Sequence, residues 1–266
     1  MKIDRLLLRS LEYLGWRTGL RRQVRLRGPK TQQLFYPAYR KAVSGVVSIL
    51  RKVAPDRYTD ANIFKTLYVD PSNVIFKTRD HFRHRGWVVS GDWDRQLSRI
   101  DESVAYQCLR RRFIEGASWK ECGYVDYARE QIHSDAIAWG LSSENHIENR
   151  CAHLDRLYKS VRDERYKSQK ELIDADPDNT FAKSVDVIHP ELNEVGIDIG
   201  RNGELLWNRI GYHRLILAKL LNINTIPVLV YRRHKQWQAV RESILEGRIP
   251  EEIDLNHPDL IDVIDD

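Results

Sequence analysis

The sequence predicts an α+β protein: a mainly helical N-terminal region with short strands, followed by a small C-terminal α/β unit. Three observations predict it. Apolar residues recur at helical spacing through much of residues 1–172. After residue 180, β-rich runs flank one short helical run. Between them, residues 174–179 read Asp-Ala-Asp-Pro-Asp-Asn, linker chemistry without a large apolar anchor. The expected division is 1–173, a region of unassigned role, then 180–240, the α/β unit, then 241–266, an acidic extension.

Taken in order, residues 1–55 read as helical, with Ala42, Val46, Val47 and Leu50 as a buried stripe ended by Pro55. Leu67-Tyr68-Val69, Val74-Ile75-Phe76 and Gly86-Trp87-Val88-Val89 read as short strands bounded by Asp70-Pro71 and Gly91. Residues 98–172 return to helical periodicity, through 105–113, 124–137 and 147–161. Beyond the linker, residues 195–199 alternate toward a strand, Gly200-Arg201-Asn202-Gly203 supplies a turn, and residues 204–207 begin a return strand. A helix over 213–221 then leads into Ile226-Pro227-Val228-Leu229-Val230, a nearly all-apolar strand.

With 266 residues, 42% of them hydrophobic and 30% charged, the chain can bury a core without staples and does not resemble a disordered tail. No run approaches the roughly 18–20 apolar residues of a membrane span, and charges interrupt Leu6, Leu7 and Leu8 before any secretory core forms. A cytoplasmic location is the expectation. Three cysteines, Cys108, Cys122 and Cys151, stand at wide spacing, which argues for buried free thiols. Cys122, His133, His146, Cys151 and His153 lack the tight pairing of a zinc site.

The net charge of +5 conceals a gradient of +10 over residues 1–60, +3 over 61–170 and −8 over 171–266. The basic run Arg17, Arg21, Arg22, Arg25, Arg27 and Lys30 precedes Phe35, Tyr36 and Tyr39, so residues 17–41 can attract nucleic acid or another anionic surface; a solvated face is the plainer reading.

The segment richest in chemistry is Gly211-Tyr212-His213-Arg214, at a strand end and a helix start. A helix N-terminus presents unpaired N–H groups and partial positive charge, and glycine lets a ligand approach the backbone. Arg214 adds a planar donor fork for phosphate oxygens, and His213 a donor that can also move a proton. An ordinary turn before a capped helix has the same local sequence.

With His189-Pro190-Glu191-Leu192 upstream and Ile226-Pro227-Val228 downstream, residues 184–234 resemble the ParB/sulfiredoxin superfamily, about a fifth of the chain. The resemblance implies a ParB-like α/β fold and nucleotide binding (ATP, ADP or CTP), with Gly211, Tyr212, His213 and Arg214 at the phosphates. Sulfiredoxin chemistry is removed, because its cysteine position in the turn is Tyr212 here. The turn is most similar to that of the free serine kinase branch, Gly-His-His-Arg. That similarity implies Glu191 as general base on an accepting hydroxyl, His213 beside it as a catalytic group, and magnesium with the nucleotide. Those kinases carry an acid just before the glycine; this chain has Ile210, leaving Glu204 or Asp198 as substitutes.

Outside that segment, Asp92 and Asp94 follow a strand two residues apart and can offer two carboxylates to a hydrated metal, with Trp93 as an interface anchor or stacking platform. Residues 79–85 interleave cations with Phe82, as single-strand binders do, and Arg232-Arg233-His234-Lys235 either approaches the same phosphates or keeps a sheet edge soluble. Two functions follow as expectations: a nucleotide-using phosphotransferase or hydrolase, and alternatively a DNA-binding ParB-like module without catalysis of its own.

Overall fold

The computed structural model describes residues 28–79, 85–133, 143–183 and 187–264. The chain is α+β, with helices packed on a mixed seven-stranded sheet. Helix α1 (Pro29–Val53) starts with proline at its first turn and ends with Arg51 and Lys52 at the negative end of its dipole. Its buried face is Gln32, Tyr36, Val43, Val47 and Leu50. The expected stripe is therefore half right: Val47 and Leu50 are inside, Ala42 is exposed and Val46 only partly buried. The adjacent pairs Ala42-Val43 and Val46-Val47 leave two faces equally apolar, and contact with Tyr58, Ile63, Phe64 and Leu192 selects one.

Strands β1 (Thr66–Val69), β2 (Phe76–Lys77), β3 (Trp87–Val89) and β4 (Ser98–Arg99) come from the N-terminal half. Only Phe76 of the expected run 74–76 joins the ladder; Val74 caps a 3-10 turn (Pro71–Asn73) and is fully buried. Helices α2 (Val104–Phe113), α3 (Tyr124–His133) and α4 (Glu144–Asp163) follow, α2 and α4 capped by Ser103 and Ser143. The expected linker is helical instead: α5 (Gln169–Ala175), started by a Ser168–Glu171 capping box, and α6 (Pro177–Lys183) break only at Asp176.

The C-terminal unit comprises β5 (Val195–Ile199), β6 (Leu205–Trp207), α7 (Tyr212–Leu220) and β7 (Ile226–His234). β5 pairs antiparallel with β6 and parallel with β7, so α7 is the crossover between parallel neighbours. The other edge of β7 carries β1 antiparallel at Ile226 to Leu229 and β3 parallel at Arg232 to His234. β6 continues the sheet into β2 and then β4. One sheet thus crosses the division expected near residue 173, and one hydrophobic core runs from Leu67 through Leu109 and Leu154 to Val230.

The acidic extension packs as well. Helix α8 (Lys235–Leu245) places a fully buried Arg241 against Asp60 and Asp262, while buried Asp259 takes Arg233 and the Trp237 indole. Arg232 is buried against Asp198. Arg232 and Arg233 therefore spend their charge on internal carboxylates and do not approach a phosphate site. Cys108, Cys122 and Cys151 are free and buried. Among the described residues, no helix is long and apolar enough to cross a membrane.

Candidate phosphate turn and adjoining cavity

The turn is held from three sides. Gly211 is the N-cap of α7 in the left-handed region, φ 71°, and a Cβ there would stand 2.8 Å from the Val195 Cα. The Ile210 carbonyl accepts from the Gly196 N–H and from the Trp207 indole, at 3.2 and 2.8 Å. The Tyr212 ring stacks on Trp207 with centroids 4.8 Å apart, and its hydroxyl lies 3.4 Å from Ser103 Oγ. No side chain caps α7, so its start offers backbone N–H groups; the first helical bond runs from Leu215 N–H to Gly211 O.

The histidine and the arginine of the motif are both engaged. The His213 Nε2 lies 3.0 Å from the Tyr124 hydroxyl on α3, and burial, together with the charges of Arg150 and His153, holds its pKa down to about 3. The ring is neutral at pH 7 and acts as a hydrogen-bonding group. The Arg214 guanidinium is 3.2 Å from Glu194, a buried carboxylate that also accepts the Gln169 N–H. Burial raises Glu194 despite that guanidinium. Beside the pair, the Tyr166 hydroxyl is buried, and its pKa is pushed up to about 12.

An exposed cation stands at the turn outside the Gly211-Tyr212-His213-Arg214 motif. Arg209, two residues before Gly211, adopts φ 68°, an unusual region for a non-glycine residue, and among the described residues donates to the Arg79 carbonyl, at 3.4 Å. Half-buried Lys77 lies near enough that burial first, and then the Arg209 charge, lowers its pKa. Neither cation is ion-paired with a carboxylate among the described residues. Lys77 and Trp207 are register partners of β2 and β6, a juxtaposition of residues 130 apart that no local pattern reveals.

Glu191 belongs to a 3-10 turn (Pro190–Asn193) leading through Glu194 into β5, whose first residue backs Gly211. It borders an open cavity of about 450 Å³ with Tyr36, Pro37, Arg40, Ile173 and His189. His189 accepts the Glu191 N–H on Nδ1 at 3.4 Å and stacks on Tyr36 at 3.8 Å between centroids. Burial, then the Arg40 charge, holds His189 down to about 4, while burial and the neighbouring Glu191 carboxylate raise the Tyr36 phenol.

The other acids are placed elsewhere. Four residue steps along β5, roughly 13 Å at ~3.3 Å each, separate Val195 beside the turn from Ile199 at the hairpin tip. At that far end Arg201 takes Asp94 and Asp92, at 2.6 and 2.8 Å, and its hydrogen bonds outweigh burial to hold Asp94 down to about 2. Glu204 accepts from Asn202. Asp198 is bound by Asn208 and Arg232, with the Arg232 guanidinium 3.9 Å over the Trp93 ring. Trp93 is thus a stacking platform for an internal arginine. Asp92 and Asp94 are taken up by Arg201 and Glu204 by Asn202, and among the described residues no group of three metal-ligating side chains exists. The basic run at 17–27 and the cations at 80–84 lie outside the described residues.

No protein-family model, no curated protein and no solved structure matches this chain.

Proposed function

We propose that this protein binds a nucleotide by its phosphates at the start of α7 and transfers or hydrolyses a phosphoryl group, with Glu191 as the base. The observation that supports it is the cationic turn: an uncapped helix start behind left-handed Gly211, flanked by Arg209 and Lys77 without carboxylate partners among the described residues. Backbone N–H groups and two cations of this kind favour an oxyanion over any neutral ligand.

In this reading the roles shift from those the motif implies. Arg209 and Lys77 meet the phosphate oxygens. Arg214 orders the turn by gripping Glu194, and neutral His213 holds it to α3 through Tyr124. Proton removal from the accepting hydroxyl or water belongs to Glu191, whose loop is continuous with the turn through Glu194 and Val195. Magnesium, if carried in with the nucleotide, meets no cluster of three carboxylates among the described residues. A nucleotide-using role fits a cytoplasmic protein.

The test is a thermal-shift titration with ATP, ADP and CTP, with and without magnesium, followed by phosphate-release assays. A ligand that binds only the folded chain raises its melting midpoint. Arg209→Gln is expected to weaken that response at least tenfold, and Glu191→Gln to retain it while losing turnover. The absence of any shift at millimolar nucleotide overturns the reading. An affinity for DNA that falls steeply with salt, without nucleotide response, favours the non-catalytic alternative.

A further inference from the structure

We infer that the cavity between α1 and the Pro190–Asn193 turn is a binding site for a small hydroxylated oxyanion, a carboxylate or a phosphate ester, with Arg40 as the receptor for its charge. As an assignment of the acceptor it rests on the phosphotransferase reading; as a binding site it stands on its own geometry.

Buried arginines elsewhere in the molecule have carboxylates: Arg232 with Asp198, Arg233 with Asp259, Arg241 with Asp60. Arg40 and Arg85, both partly buried, have no carboxylate partner among the described residues. Their guanidinium carbons lie 5.4 and 5.7 Å from the same ring centroid, that of Phe64, with Arg40 also over Tyr36 and Arg85 over Tyr231. Neither is ion-paired among the described residues, and the buried Arg85 Nε has no hydrogen-bond partner; the Arg85 contact is a 3.4 Å bond to the Tyr231 hydroxyl. Two partly desolvated cations sharing one ring repel each other, and among the described residues neither is ion-paired with an anion that would offset that repulsion. Arg40 borders the cavity, so that anion can come from a ligand.

The remaining walls define the rest of the ligand. Glu191, which already takes the Tyr36 hydroxyl, has a second carboxylate oxygen that can accept a ligand hydroxyl, and His189 is neutral. Pro37 lies inside α1 and has no N–H, so the Gln33 carbonyl one turn earlier loses its helical donor; both residues border the cavity. The rings of Tyr36 and Pro37 and the side chain of Ile173 provide apolar surface, and 450 Å³ falls in the range of small-molecule sites.

The test uses the full chain titrated with glycolate, acetate and inorganic phosphate, reading the thermal midpoint in wild type, Arg40→Gln, Arg40→Lys, Glu191→Gln and Arg209→Gln, each checked for native circular dichroism. Glycolate or phosphate should raise the midpoint at millimolar concentration. The response should weaken at least tenfold in Arg40→Gln, recover partly in Arg40→Lys and persist in Arg209→Gln. Glu191→Gln, whose amide oxygen is the weaker acceptor, should reduce the preference for glycolate over acetate. A response to the carboxylates alone identifies a hydroxy acid, and one to phosphate alone a phosphate ester. Titrations identical in wild type and Arg40→Gln, no response to any anion, or a response lost only in Arg209→Gln would overturn the site. Loss of nucleotide binding with this pattern retained removes the phosphotransferase reading and leaves the cavity assignment standing.

Discussion

Gly211 carries two constraints at once, a left-handed φ of 71° and a Val195 Cα 2.8 Å from where a Cβ would sit. Gly211→Ala is therefore expected to destabilise the fold by about 2 kcal/mol or more, read from urea unfolding, since a left-handed residue with a Cβ costs ~1–2 kcal/mol before any clash. The Glu194–Arg214 pair makes a different prediction. Glu194→Gln keeps the shape but removes a buried negative charge from the turn, so it should cost roughly 1–3 kcal/mol of stability and tighten phosphate binding, measured by calorimetric titration. The glycine was legible in the sequence because its backbone role is local. The tie between Arg214 and Glu194 was not, because a glutamate before a strand reads as solvent-exposed until the fold buries it. Arg209 was equally hidden: nothing in an arginine's identity announces a positive φ or a lysine from another strand beside it.

Among the elements, β7 shows how tertiary context reverses a local reading. All nine of its residues are buried, including Arg232, Arg233 and His234, because β5 lies along one edge and β1 and β3 share the other. Such a strand needs internal counter-ions, and Asp259 supplies one from the C-terminal segment while also meeting Arg241 and the Trp237 indole. Asp259→Ala is expected to cost about 3–5 kcal/mol, because it leaves buried cations short of a partner; a urea midpoint unchanged from wild type would contradict this. The helical stretch at 169–183 makes the opposite point. Its Asp-Pro content reads as a linker, yet Pro177 starts a helix, Asp176 ends the one before, and Thr180 bonds the Leu172 and Asp176 carbonyls to lock the corner.

The whole molecule should respond to acid through groups whose burial outweighs their pairing. His189 and His213 are held to about 4 and about 3 against an ordinary 6.5, so between pH 6.5 and pH 4 the unfolded chain binds two protons that the folded chain refuses, and stability falls with pH; His257, also lowered by burial, acts in the same direction. Asp198 opposes them. Burial lifts it to about 6 from 3.8, so its contribution is fully present below 3.8 and is lost as pH rises through 6. Denaturant titrations across that window should show a net loss in acid, steeper in Asp198→Asn than in wild type. Along the chain, the order of strand, turn, strand, glycine turn, helix and strand was determined by sequence alone, because periodicity and turn chemistry are set by residues a few positions apart. The single sheet joining both halves, the carboxylates that occupy Arg214, Arg232 and Arg233, and the convergence of Arg40 with Glu191 were decided by tertiary structure alone. These depend on which distant residues share a desolvated space, and charge changes its meaning with the solvent around it.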